Sequence, residues 1–162
     1  MENLNITMEC LHDLVAFHTE RIKGYETLLT ALPPESQHLT TLFDAFIKQS
    51  VDMKAELLGA AGAVWGAGEK QAQQQGKFGL AWSVVKAVFS SRMPTYPLEK
   101  CKSGENALLI AYHSIEGTEG LHPSVRTLVN RQKREVIDAR DWIVPFERRG
   151  TPPSHRQLAT VS

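Results

Sequence analysis

Cysteine is scarce, with 2 in 162 residues. That excludes a disulfide-stapled scaffold and suits a reducing compartment. Neither sign of charge is in surplus, because 18 Lys and Arg balance 18 Asp and Glu. A dedicated phosphate-backbone binder normally carries a basic surplus, so nucleic acid is not an expected partner. No run of about 18 uninterrupted apolar residues occurs, so no spanning helix is expected. Residues 1–7 lack the basic start and apolar run of a signal peptide, so the expected location is cytoplasmic. No stretch alternates with the period of a strand, and no internal repeat is present. Phosphate loops, nucleophile elbows and paired Cys-x-x-Cys motifs are also missing. The Gly-x-Gly at Gly66 to Gly68 follows no strand, so it carries no nucleotide signal.

What is present is helical. Hydrophobic residues make up 42% and charged residues 22%, ordinary values for a globular chain. The length suits one domain and one sizeable core. The neutral total hides an asymmetry. Residues 1–62 hold 4 basic and 9 acidic groups, whereas residues 121–162 hold 8 and 4. Such runs belong to solvated helix faces more often than to docking surfaces.

Four apolar stripes step by three and four residues. The first is Met8, Leu11, Val15, His18, Ile22, Tyr25, Leu29 and Leu32. Gly24 inside it costs about 1 kcal/mol against Ala, which a close helix crossing would explain. Pro33-Pro34 ends that helix and opens the next. The second stripe is Leu39, Leu42, Phe43, Phe46, Ser50, Met53, Leu57 and Ala60. Residues 59–76, rich in Gly, Ala and Gln, read as a frayed helix end and a loop. A short, largely apolar helix is expected over Phe78–Phe89. The third long stripe is Leu98, Cys101, Glu105, Leu108, Tyr112 and Ile115. Gly117 and Gly120 stop it. Pro123 opens the last, with Val125, Leu128, Gln132, Val136, Ala139, Ile143 and Phe146.

The expected fold is therefore all-α, a four-helix bundle over residues 1–147 followed by a disordered tail over 148–162. The link between the second and third long helices is about 35 residues. A link that long favours a ferritin-like crossover over simple up-down-up-down order.

A polar layer interrupts the stripes. His18, Ser50, Glu105 and Gln132 fall on the core seams near mid-helix, with Glu135 at the edge of the last seam and Gln49 beside the second. Antiparallel helices of similar length bring these to one level. A carboxylate in a core must be paired, protonated or metal-bound. Di-iron bundles use Glu-x-x-His on facing helices. Here Glu-x-x-His occurs as Glu9/His12, Glu35/His38 and Glu119/His122, none at mid-bundle. The candidate metal ligands reduce to His18, Glu105 and Glu135, for iron or another divalent ion. The competing expectation is a hydrogen-bonded network that fixes helix register, with no cofactor. Tyr25 and Tyr112 are expected to pack in the core with their hydroxyls partnered. Cys101 is expected to be a buried small hydrophobe.

The runs Leu11-His12-Asp13-Leu14, Glu20-Arg21-Ile22-Lys23-Gly24-Tyr25, Gly76-Lys77 with Trp82 and Lys86, Cys101-Lys102-Ser103-Gly104-Glu105 with Ala111-Tyr112, and Arg131-Gln132 with Glu135-Val136 carry a resemblance. The chain resembles, over residues 8–147, a bacterial family of ferritin-like four-helix-bundle domains of unknown function. The resemblance implies the bundle and assigns no activity. The chain departs from it at Arg140, which stands before Asp141 where the family would place a His.

Three functions follow as expectations. The first is a non-enzymatic, self-associating structural or interaction protein, with a stress-related role as one form of it, whose partner is a second copy. The second is a metal-binding or redox bundle built on His18, Glu105 and Glu135. The third is a peripheral membrane protein using Phe78, Trp82 and Phe89. That aromatic segment is expected to form an interaction surface on its own bundle or another subunit rather than on a membrane.

Overall fold

The computed structural model describes residues 3–65 and 96–149. Among them every element is helical: α1 (Leu4–Thr30), a 3-10 turn (Pro34–Leu39), α2 (Thr40–Trp65), α3 (Pro97–Glu116), α4 (Pro123–Arg140), a second 3-10 turn (Asp141–Ile143) and α5 (Val144–Arg149). The short helix expected over Phe78–Phe89 and residues 150–162 of the expected tail lie outside the described residues.

Local chemistry sets the ends. The Asn3 side chain accepts from the Ile6 N–H at 3.2 Å and caps α1. Pro97 and Pro123 occupy first-turn positions, where a missing N–H costs nothing. His122 caps α4 by accepting from the Ser124 N–H. Gly120, at φ 86°, takes the left-handed turn between α3 and α4 that a side chain would resist.

Three expectations need correction. The frayed end expected from Gly59 is helix: α2 continues to Trp65. Leu57 and Ala61 bury inward, while Gly59 and Gly62 face open space and cost only propensity. The last helix does not run unbroken to Phe146. It stops at Arg140, and Pro145, which has no N–H to give, is accommodated in the first turn of α5. The first stripe is also wider than read. Leu14, Phe17 and Arg21 are buried, whereas Val15 and Ile22 are only half-buried.

Helix directions follow from paired residues. Tyr25 meets Cys101, Arg21 meets Glu105 and His18 meets Tyr112, so α1 and α3 are antiparallel. Gln49 meets Glu135, Met53 meets Gln132 and Glu56 meets Arg131, so α2 and α4 are antiparallel as well. α1 also runs against α2 across the short turn at residues 31–39. It follows that α2 and α3 run in the same direction, and that α2 ends and α3 begins at opposite ends of the four helices.

The core is one cluster fed by all four helices, with Leu11, Phe17, Phe43, Phe46, Leu57, Leu108, Ile115, Val125 and Val136 buried. Tyr25 stacks on Phe43 and Phe46 at 5.2 and 5.1 Å between centroids. Trp142 covers the next layer by stacking on Phe46 at 5.5 Å. Offset stacking of this kind adds to the area such rings bury.

Candidate functional site

The helical spacing His18, Arg21, Tyr25 puts three polar groups on one face of α1, three and four residues apart. Ser50 presents from α2, Cys101, Glu105 and Tyr112 from α3, and Gln132 from α4. All eight side chains are fully or almost fully removed from solvent.

Arg21 is the centre. Its Nε donates to Glu105 Oε2 at 2.9 Å and its Nη2 to Glu105 Oε1 at 2.6 Å, a bidentate fork. Its Nη1 donates to Ser50 Oγ at 2.8 Å. The guanidinium carbon also lies 5.0 Å from the centroid of Phe46, within cation–π range. Burial would lower the Arg21 pKa, but the charge and hydrogen bonds of Glu105 outweigh it and the group is held above its usual value. Arg21 therefore stays charged.

The remaining protons can be placed by elimination, because each donor has one acceptor left to serve. Gln132 Nε2 faces the Met53 carbonyl and Glu56 Oε1, both acceptors, which fixes its amide. Tyr112 donates to Gln132 Oε1 at 2.6 Å. His18 Nε2, 2.6 Å from the Tyr112 hydroxyl, must then carry the proton. His18 Nδ1 is left as acceptor for the Ser50 hydroxyl at 2.9 Å. On the other side, Tyr25 donates to Glu105 Oε2 at 2.5 Å, and the Cys101 thiol donates to the Tyr25 oxygen at 3.3 Å. Every bond of the layer has one donor and one acceptor, several atoms serve two partners, and the charges cancel between Arg21 and Glu105.

Burial dominates the protonation of the neutral members. It drives His18 well below its ordinary value, with Arg21 and then Lys54 adding repulsion. It drives Tyr25 well above, helped by Glu105. The Tyr112 hydroxyl and the Cys101 thiol are raised for the same first reason.

The structure thus brings together His18, Ser50, Glu105 and Gln132, the four seam residues read from spacing. It does not bring in Glu135. That carboxylate stands on the surface, 42% exposed, paired with Arg131 one helical turn before it, and Arg131 also binds Glu56. Its position at the seam's edge points it outward, so the proposed His18, Glu105, Glu135 ligand set does not converge. Gln49 reaches α4 through its amide nitrogen, which donates to the Glu135 carbonyl at 3.1 Å. Phe78, Trp82 and Phe89 lie outside the described residues.

Apolar periodicity does not pick out Arg21, because a guanidinium scores as surface. Its signal is positional. It stands three residues after His18 and four before Tyr25, on the face those two define.

As a metal centre the layer is a poor fit. Both Glu105 oxygens and both His18 nitrogens are committed to protein partners, and a guanidinium already supplies the positive charge a cation would bring. Among the described residues no group of three or more His, Cys, Asp or Glu is placed to hold an ion. A surface cleft of about 260 Å³ lies elsewhere, lined by Lys102, Asn106, Arg140, Asp141, Ile143, Val144 and Glu147, and shares no residue with the layer. Among the described residues no helix is long and apolar enough to cross a membrane.

No family model, no curated protein and no solved structure matches this chain.

Proposed function

We propose that this chain is a non-enzymatic, ferritin-like helical bundle with a long crossover, acting as a self-associating structural or interaction protein. The observation that carries the absence of chemistry is the saturation of the layer. A catalytic or metal site keeps an acceptor, a donor or a coordination position open, whereas Arg21 closes this one from within. The parallel course of α2 and α3 supports the crossover, since residues 66–95 must join opposite ends of the four helices.

The outer face of α2 supports self-association. From Val51 onward its solvent side carries Val51, Ala55, Leu58, Gly59, Gly62 and Ala63, with Val51 50% and Leu58 53% exposed. Asp52 is the one fully exposed charged group on this stretch, with Lys54 and Glu56 half-buried at its flanks. A nearly uncharged stripe on a surface helix is the kind of face that seeks another apolar face.

Two measurements test the proposal. Metal analysis of protein purified without a histidine tag should find iron, zinc and manganese well below one equivalent per chain. A full equivalent that is retained on gel filtration and lost in Glu105→Gln would overturn the non-metal reading. Sedimentation equilibrium should find an oligomer that Leu58→Lys weakens. A monomer at every concentration would overturn the self-association.

A further inference from the structure

The polar layer has a feature that register alone does not require. Its ion pair and most of its hydrogen bonds cross between two hairpins, the exceptions being the two bonds to Ser50 and the one from Tyr112 to Gln132. Arg21, His18 and Tyr25 belong to the α1–α2 hairpin, and Glu105, Tyr112 and Cys101 to the α3–α4 hairpin. Gln132 of α4 closes back on the Met53 carbonyl of α2. The bond of Arg21 and of His18 to Ser50 lies inside the first hairpin and links the two halves of the layer.

We propose that this layer is an acid-sensitive latch: the two hairpins hold together while His18 is neutral and part when it takes a proton. The inference rests on the layer being structural, as argued above, and adds a condition under which it lets go.

The geometry supplies the reason. The only free position on the His18 ring is Nδ1, and Nδ1 is the acceptor of the Ser50 proton. A proton placed there turns an acceptor into a donor. Ser50 Oγ would then receive from both Arg21 Nη1 and His18 Nδ1, and its own hydrogen would lose its acceptor. That is a buried, unmade hydrogen bond. The charges oppose it too. Arg21 on the same helix and Lys54 on α2 repel a charged His18. From α3, Glu105 is the single buried carboxylate and is already filled by Arg21 and Tyr25, and Tyr112 is neutral. From α2 and α4, Glu56 and Glu135 are turned to the surface and held by Arg131. Once the hairpins part, water can solvate the charged ring.

The sign follows. A histidine whose folded-state pKa lies below its ordinary 6.5 leaves stability intact above that value. As pH falls below it, the opened state binds a proton the closed state does not, and the latch weakens by up to tenfold per pH unit.

The test reads Cys101, buried where α1 meets α3, by its rate of reaction with 4,4′-dithiodipyridine in the full chain, resolved from Cys10 by peptide mapping and corrected with a free cysteine peptide. Between pH 6.5 and 5.0 the opening equilibrium should rise by about sixteenfold. In His18→Gln it should stay flat over that range. An equal rise in both proteins would overturn the latch, as would Cys101 protection that does not change with pH in the wild type. Should His18→Gln fail to fold, the ring proton resonances of His18 in the folded wild type decide. A titration centred near 6.5 overturns the proposal, and absence of titration down to pH 5 supports it. If the layer were not structural at all, His18→Gln would leave the melting temperature unchanged, an outcome separate from the failure of the switch.

Discussion

Removing the Glu105 carboxylate is the sharpest perturbation of this fold. From sequence spacing alone, Glu105→Leu is a candidate for a neutral change, because a well-packed apolar side chain can match a buried polar one. The structure reverses that expectation. Among the described residues Glu105 is the only carboxylate bonded to Arg21, through two of its nitrogens, and both side chains are 0% exposed. In Glu105→Leu the guanidinium keeps Ser50 and the face of Phe46 but loses its counter-ion in a site it cannot leave. Breaking a buried pair from one side costs about 3–5 kcal/mol. Against a typical domain stability of about 5–15 kcal/mol, that is a large fraction. Arg21→Met should cost a similar amount, since it strands the carboxylate beside Tyr25.

The double variant Arg21→Met with Glu105→Leu removes both charges together. It should be less destabilised than either single variant, and replacement of buried pairs elsewhere has been neutral or stabilising by about 1–4 kcal/mol. Urea unfolding at pH 7, followed by far-ultraviolet circular dichroism, gives the four free energies of the cycle. Additive single effects would refute the reasoning, and so would a cost below about 1 kcal/mol for Glu105→Leu.

Other perturbations follow from the same geometry. Tyr112→Phe removes the one hydroxyl that serves both His18 and Gln132, and should lower stability by about 1–3 kcal/mol in the same urea assay. Gly62→Ala should raise it by about 0.5–1 kcal/mol, since an added Cβ meets nothing within 4 Å and the helix gains propensity. Arg131→Ala should change it by less than about 1 kcal/mol, because its ion pairs with Glu56 and Glu135 are two-fifths exposed and screened, and 1 M salt should shrink even that difference. The Cys101 thiol, buried and held above its usual pKa, should resist iodoacetamide at pH 8 in the folded chain and react at once in 8 M urea.

Much of this was legible in the amino-acid order, and the reason is periodicity. Of the stripe Leu39, Leu42, Phe43, Phe46, Ser50, Met53, Leu57 and Ala60, every position is buried but Ala60, which is half-buried, because a helix on the edge of a core has one apolar face and α2 with the turn before it obeys that rule. Seam positions named His18, Ser50, Glu105 and Gln132 correctly for the same reason. Three things escaped. Arg21 is counted as polar by any scale, and only its counter-ion on a distant helix makes burial tolerable, so no local pattern announces it. Glu135 sits one residue from a buried Val136, and a rotation of 100° per residue is enough to turn it from seam to solvent. Gly59 and Gly62 resemble a stop signal, yet the buried Leu57 and Ala61 hold the helix through them. For Arg21 and for the two glycines a tertiary contact overrides a local preference, whereas helix geometry alone turns Glu135 outward.

The layer also explains why an apolar seam would not serve equally well. Leucines, phenylalanines and valines pack against one another with little regard to which meets which, so two such helices can slide by a turn, about 5.4 Å, and still bury similar area. Slide α3 by one turn against α1 and Glu105 leaves Arg21 to face His18 or Tyr25, neither of which carries a fixed positive charge, while Tyr112 leaves His18. The same shift strands Gln132, which is fixed through Tyr112 to α3 and through the Met53 carbonyl to α2. Each misalignment exposes several buried donors and two charges to an apolar surround, at a cost that grows with every group left unpaired. One arrangement satisfies all of them, and it is the one in which Arg21, Ser50, His18, Tyr112 and Gln132 stand at a single level. The ion pair therefore contributes most by penalising the alternatives, and that role is independent of whether the native state would be more stable with methionine and leucine in its place.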